Sequence, residues 1–300
     1  MSGRRLLFVH AHPDDESSKG AATAARYVDA GARVTLVTCT GGEEGEVLNP
    51  SCEAIPPEEL PERRRKELAA ACAVIGFAAR YDLGHRDSGY HEDPSGVPEG
   101  TFARLPVDEP SRRLAAVLRV ERPQVVVTYP QDGGYPHPDH IMTYEVTMRA
   151  LELAQDGATD LAGVDLEVAH GAAGAPGQPW RVPKVYACHA FPPRRVLALH
   201  GALLERGVDS PFEGWMERRA ERRYRDWPCD ALLDVGDWFE RRDEALRLHE
   251  TQVDPDGMWF AWPRVVEREV YPWECFTRLR SDVATPEPEE DLFAGLEEEP

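Results

Sequence analysis

Short apolar runs and Ala-rich amphipathic stretches alternate along the first two thirds of this chain. Arg5 to Ala11 is a compact apolar run that ends in a polar turn, and Ser17 to Ala30 continues with helical periodicity. Arg33 to Thr40 repeats the strand signal with β-branched residues, punctuated by Gly41-Gly42. Pro61 to Gly76 has an acidic start, a basic middle, an Ala-rich face and a terminal glycine, the pattern of a capped helix. A third strand is predicted over Ala79 to Leu83, and a helix over Ser111 to Glu121 that stops at Pro123. Gln124 to Tyr129 is the most strand-like run of the sequence, and it is followed by a helix from about Pro138 to Leu153 and a strand over Lys184 to Ala190.

Fully apolar strands separated by helices build right-handed βαβ units, so the predicted class is α/β. The expected architecture is a Rossmann-like, mostly parallel sheet with helices on both faces, formed by residues 1-190. Between Gln155 and Gly177 the periodicity fades into Gly, Ala and Asp, which predicts a long surface connection. Residues 191-280 are expected to form a smaller C-terminal region that completes a binding pocket. Its helices would cover Phe212 to Asp226, bearing Arg218, Arg219, Arg222, Arg223 and Arg225, and Asp237 to His249. Residues 281-300 hold eight acidic side chains, no basic ones, and Pro286 and Pro288, the composition of a flexible tail.

Composition narrows the function classes. The 300 residues are 42% hydrophobic and 29% charged, enough for a substantial core. A net charge of −20, from 34 basic against 54 acidic residues, repels nucleic acid and anionic membrane surfaces, so neither is an expected partner. No apolar run approaches the roughly 18 residues of a membrane helix, and Met1 to Arg5 lead into a short apolar stretch without a cleavage site, which points to a cytoplasmic protein. The six cysteines contain no Cys-x-x-Cys pair and are expected as free thiols, mostly buried. Nothing in the sequence sets the number of subunits.

Two clusters of metal-competent side chains each follow a predicted strand: His10-Ala11-His12-Pro13-Asp14-Asp15-Glu16 and Tyr135-Pro136-His137-Pro138-Asp139-His140. Open parallel sheets bind ligands beyond the carboxyl ends of their strands, where strand order reverses. In a 3-2-1-4-5 order the first and fourth strands are neighbours, so both clusters would face one crevice. A catalytic zinc takes about three His or carboxylate ligands and keeps one open position. His12, Asp15 and His140 supply that set, and Asp14 is free to act as general base toward water. His137 lies at a three-residue offset from His140 and is placed to act as acid or transition-state donor, with Asp139 to orient it. A nicotinamide enzyme is excluded on the first turn, which carries His-Pro-Asp-Asp-Glu where dinucleotide binding needs Gly-x-Gly-x-x-Gly. A non-catalytic binding module would not require both a ligand set and a base.

Ala11-His12-Pro13-Asp14-Asp15-Glu16 and His137-Pro138-Asp139-His140 resemble the LmbE-like zinc N-deacetylase and amidase family. Ser17-Ser18-Lys19-Gly20, Thr40-Gly41-Gly42-Glu43, Gly45-Glu46-Val47-Leu48-Asn49-Pro50, Gly133-Gly134-Tyr135-Pro136 and Leu292-Phe293-Ala294-Gly295 extend the likeness over nearly the whole chain, most closely to the branch that cleaves mycothiol S-conjugates. The stretch after Gln155 and the arginine cluster match poorly. The resemblance implies one Zn2+ per chain, with Fe2+ as the other candidate, on His12, Asp15 and His140, and Asp14 as base. It adds Tyr135 as oxyanion donor and His137 as stabiliser or general acid held by Asp139. It also places Glu43, Asp87 and Arg64, or Arg63 or Arg65 of the same run, around a glucosaminyl-inositol moiety, and Lys19 toward the cysteinyl arm. The implied reaction is hydrolysis of a thiol-conjugate amide, in detoxification. The alternatives are deacetylation of N-acetylglucosaminyl-inositol and an amidase step in the biosynthesis of a sulfur-containing natural product.

Overall fold

The computed structural model describes residues 3–53, 55–91, 93–171, 174–221 and 227–296. In chain order the strands are β1 (Arg5–His10), β2 (Arg33–Thr40), β3 (Ala79–His85), β4 (Val125–Thr128), β5 (Glu167–His170), β6 (Lys184–Cys188), β7 (Ala231–Asp234) and β8 (Trp273–Ser281). The helices are α1 (Asp15–Ser18), α2 (Ala21–Asp29), α3 (Leu60–Ile75), α4 (Asp108–Glu121), α5 (Pro138–Gln155), α6 (Pro193–Glu205), α7 (Glu213–Glu221), α8 (Phe239–Leu248) and α9 (Arg264–Val270). Among the described residues all eight strands join one sheet, in the order β5-β3-β2-β1-β4-β6-β8-β7. The pairs among β3, β2, β1, β4 and β6 are parallel, whereas β5, β8 and β7 add antiparallel pairs at the two ends.

The period of two along each strand divides the core. Leu6 and Phe8 of β1 pack with α2, α3 and α8 side chains on one face, while Leu7 and Val9 join Leu114, Val117, Val146 and Leu151 of α4 and α5 on the other. β1 lies beside β4, in register from Leu6–Val125 to Phe8–Val127, so the loops that leave these two strands open into the same crevice. That adjacency is what the predicted strand order required.

Four differences from the sequence reading have local causes. The helix expected over Ser17 to Ala30 is broken into α1 and α2 at Gly20, whose φ of +90° is costly for residues with a Cβ; a Cβ there would also lie 2.8 Å from the Phe8 ring. The connection after Gln155 contains the edge strand β5, largely exposed and therefore lacking an apolar pattern. Cys229 and Cys275 form a disulfide with Cα atoms 5.6 Å apart, an ordinary span for one. The remaining four cysteines are free; the approach of the segment before β7 to β8 is invisible in linear spacing. The arginine cluster expected on one helix falls mostly outside the described residues.

The fourth difference is the acidic C-terminal segment, which packs on the core through Leu296. Leu292 and Phe293 are buried in the α2 face, with Phe293 edge-on to Tyr27 at 5.3 Å. Its acids have specific partners: the Glu289 carboxylate accepts from Lys184 Nζ at 2.5 Å, Tyr186 at 2.8 Å and Arg278 at 3.0 Å, and Asp291 accepts from Tyr27 at 2.7 Å. Composition alone signalled solvation because those partners lie more than a hundred residues away, apart from Arg278. Phe293→Ala is therefore expected to cost about 3–5 kcal/mol, the usual range for a buried Phe. Glu289→Ala should cost a similar amount by leaving Lys184 charged and buried without its partner. Denaturant unfolding of both variants checks this, and unchanged midpoints would return the segment to a solvated tail.

Candidate metal centre and active site

The loop after β1 and the start of α5 supply the clustered side chains. His12 opens the loop, Asp15 begins α1 and His140 sits in the first turn of α5; all three are buried. Their ligand atoms lie within 4.8 Å of one another. Asp15 Oδ2 is 3.4 Å from both His12 Nδ1 and His140 Nε2, close to the edge of a tetrahedron around zinc with bonds of about 2.0–2.1 Å. His140 Nε2 is buried with no hydrogen-bond partner, an orphaned lone pair aimed into this cluster. The donor set and that orphaned nitrogen fit a zinc-type ion.

The other side of each ligand is held. His12 Nε2–H donates to Asp139 Oδ2 at 3.2 Å and lies 3.5 Å from Asp87 Oδ1, which leaves Nδ1 as the candidate ligand nitrogen. His140 Nδ1–H donates to the Gly133 carbonyl at 3.1 Å. A Cβ on Gly133 would come within 2.8 Å of His140 Cβ, so the loop approaches the ligand this closely only as glycine with φ +76°. Asp15 Oδ2 accepts from Tyr129 Oη at 2.8 Å and the His12 backbone N–H at 3.0 Å, and Oδ1 accepts from Lys19 Nζ at 2.5 Å. Burial lowers the pKa of His140, favouring the neutral imidazole that binds metals. Burial acts the same way on His12, but its hydrogen bonds to Asp139, Asp15 and Asp87 prevail and raise it well above the usual range. A buried imidazole surrounded by three carboxylates marks a pocket of negative potential suited to a cation.

Asp14 is one of two residues other than glycine with positive φ, at 117°, among those described. Strain of this kind persists only where surroundings enforce it. Arg64 does so by donating to the Pro13 carbonyl at 2.7 Å, the Gly42 carbonyl at 2.7 Å and Asp14 Oδ2 at 3.2 Å. Glu16 completes the turn by accepting from the Asp14 N–H at 2.9 Å, while buried His249 faces its other oxygen at 2.7 Å. The Asp14 side chain remains 27% exposed and faces the crevice. Burial raises its pKa against the opposing pull of Arg64.

The other expected residues sort as follows. His137 caps α5, and its Nδ1 accepts from the Asp139 N–H at 3.2 Å, so the neutral ring carries its proton on Nε2. Burial, reinforced by His12 and His140, pushes its pKa down to about 3. Asp139 thus holds His137 through its backbone, and its carboxylate turns to His12 and the Ser88 N–H. Tyr135 is 47% exposed at the mouth, its ring 4.7 Å from that of His140, and burial of its hydroxyl end raises the phenol to about 12. Asp87 and Glu43 form one loop assembly in which Glu43 accepts from the Asp87 N–H at 3.0 Å; only Asp87 reaches the crevice directly. Of the arginine run only Arg64 points here, since Arg63 pairs with Glu67 and Glu250, and Arg65 with Glu62. Lys19 is engaged by Asp15.

Sequence reading missed Tyr129, His249 and Gln252. Tyr129 stacks on His140 at 4.2 Å and 13° while donating to Asp15, and its place just after β4, beside the predicted crevice, was the available signal. His249 and Gln252 arrive from beyond α8 with no local pattern. Two cavities meet at Tyr135. A polar one of about 480 Å³ is lined by Asp14, Glu44, Arg64, Asp87, His137 and Gln252 among others. A more apolar one of about 260 Å³ is lined by Tyr129, Tyr135, Phe191, Trp215 and Trp227 among others. No helix among the described residues is long and apolar enough to cross a membrane.

The PIG-L family, described as GlcNAc-PI de-N-acetylase, matches residues 7–151. A mycothiol S-conjugate amidase of Streptomyces coelicolor is 46% identical over 296 residues, covering 97% of each chain. A 1D-myo-inositol 2-acetamido-2-deoxy-alpha-D-glucopyranoside deacetylase of Thermobispora bispora is 40% identical over 326 residues, covering 99% of this chain and 100% of that one. Among solved structures, the N,N'-diacetylchitobiose deacetylase of Pyrococcus horikoshii superposes with a TM-score of 0.58 at 20% identity, covering 92% of this chain and 84% of the other; this likeness is one of fold.

Proposed function

The chain belongs to the PIG-L, or LmbE-like, family of amide-cleaving hydrolases, and from that premise we propose that it hydrolyses the amide of mycothiol S-conjugates. The products are glucosaminyl-inositol and an N-acetylcysteine S-conjugate, and the role is detoxification of reactive electrophiles. The observation that carries this reading is the second cavity. A deacetylase needs room beyond the metal centre only for a methyl group, whereas about 260 Å³ lie there, lined by Tyr129, Phe191 and two tryptophans. The polar cavity with Arg64, Asp87 and Gln252 then receives the polyol.

His12, Asp15 and His140 would hold a single Zn2+ or Fe2+. Bound there, the ion supplies Lewis-acid polarisation of the amide carbonyl and a more acidic water. Asp14 faces the crevice with a carboxylate oxygen free of Arg64, removes a proton as water adds to the amide carbon, and returns it to the departing amine as the C–N bond breaks. The His137 Nε2–H and the Tyr135 phenol donate toward the oxyanion, as preorganised donors. Tyr129 and Lys19 keep Asp15 oriented.

Deacetylation of N-acetylglucosaminyl-inositol is the second reading, favoured by the 40% identity to a deacetylase of that substrate class. The two separate in one measurement. The S-conjugate is expected to show a kcat/KM at least about tenfold higher than the acetyl substrate, roughly 1.4 kcal/mol of differential transition-state binding. Equal or reversed preference in the purified protein gives the deacetylase the assignment and leaves the metal centre untouched.

A further inference from the structure

One buried polar side chain beside the metal centre has no part in the mechanism. His10 ends β1 on the face that Leu6 and Phe8 turn to the core, and its ring stacks on that of Phe8 at 5.9 Å and 14°. By the alternation of the strand an apolar residue belongs there. The imidazole is 1% exposed, and its Nε2 has no hydrogen-bond partner among the described residues, a destabilising feature that a phenyl ring would not carry. Packing therefore does not account for a histidine at this position, and the other ring nitrogen does.

His10 Nδ1 lies 3.2 Å from Tyr129 Oη, with the two rings edge to face at 5.5 Å. That oxygen has two further partners: the Ala11 backbone N–H donates to it at 2.9 Å, and it donates to Asp15 Oδ2 at 2.8 Å. A carboxylate only accepts, so the single phenolic proton is committed to Asp15, and His10 must supply the hydrogen of its own contact. The direction of every link is thereby fixed, from His10 Nδ1–H to Tyr129 Oη and from Tyr129 O–H to Asp15 Oδ2. With both lone pairs of Oη taken, the phenol has no reason to turn its proton away from Asp15. Asp15 Oδ2 is the oxygen that lies 3.4 Å from both His12 Nδ1 and His140 Nε2, whereas Lys19 draws on the other oxygen.

We propose that His10 is a positioning residue for Asp15, its Nδ1–H holding the Tyr129 hydroxyl so that Asp15 Oδ2 stays turned toward the two histidines. This rests on the reading of Asp15 as a metal ligand and extends it two side chains into the core. Donation by His10 also makes the phenol a stronger donor, because hydrogen bonds in a chain polarise one another.

The test is the zinc affinity of the full-length protein, read by competition with a chromophoric chelator, beside the thermal melt of the metal-free protein. His10→Phe keeps a ring against Phe8 and removes the donor. Its zinc affinity should fall about tenfold, the lower end of the range for losing a partner behind a ligand, while the metal-free melt holds or rises. His10→Asn, whose amide N–H takes the place of Nδ1–H, should keep its zinc affinity within about twofold even where its melt falls. A packing role does not produce that opposite ordering of stability and affinity. In a Tyr129→Phe background, His10→Phe should cost no further affinity, because the two act as one unit. The 15N spectrum of the unmodified protein needs no variant, and in it His10 Nδ1 should carry a proton. Unchanged zinc affinity in His10→Phe, equal losses in the Phe and Asn variants, a further loss in the Tyr129→Phe background, or a bare Nδ1 overturns the role of His10 and leaves the metal centre standing. An unmodified protein that binds no zinc overturns both.

Discussion

His12→Ala and His140→Ala are expected to reduce the bound metal from about one ion per chain to near zero and to abolish turnover. Each removes one of the three proposed protein ligands, the usual number at a catalytic zinc. The environment sharpens the effect differently at the two positions. Removing His12 leaves Asp15, Asp87 and Asp139 facing each other without the imidazole that now lies between them, so that variant should also melt lower. Removing His140 takes away the ring that stacks on Tyr129 and the donor to the Gly133 carbonyl but leaves no carboxylates facing each other, so its melting loss should be the smaller of the two. Elemental analysis beside a thermal melt separates the two cases. Full metal content in both variants would remove these histidines from the ligand set.

Asp14→Asn should keep the metal and lower turnover by roughly 10²–10⁴, the usual contribution of a general acid–base group. The substitution is chosen for the backbone, because Asn tolerates positive φ about as well as Asp, and its amide oxygen can still accept from Arg64. Binding of substrate should change little, so the effect belongs in kcat. If turnover stayed near normal, the base would have to be another group, and Glu16 is a poor substitute: its oxygens already face His249, Ser17 and the Asp14 N–H, and it is buried. His137 would then be the next residue to replace.

The sequence determined what depends on short separations. Periodicity located the strands β1, β2, β3, β4 and β6 and the helices between them to within a few residues, and the motifs at the ends of β1 and β4 held the side chains that cluster in the crevice. The rule that binding sites form where strand order reverses then joined two clusters more than a hundred residues apart, because β1 and β4 are neighbours in the sheet. Tertiary structure decided whatever depended on which side chain wins a contact among chemically similar candidates. Three consecutive arginines are equivalent in a helical pattern, and only the rotation of α3 aims Arg64 at Asp14. Asp139 was expected to hold His137 because it is near in sequence, but the pitch of α5 turns its carboxylate to His12. The acidic C-terminus read as solvated because its partners Lys184, Tyr186 and Tyr27 are remote in the chain, and folding brings Glu289 into a buried pair with Lys184 and Asp291 onto Tyr27. The aromatic cavity was illegible for the same reason, since Tyr135, Phe191, Trp215 and Trp227 share no spacing and meet only where the sheet and the segments beyond β6 bring them together.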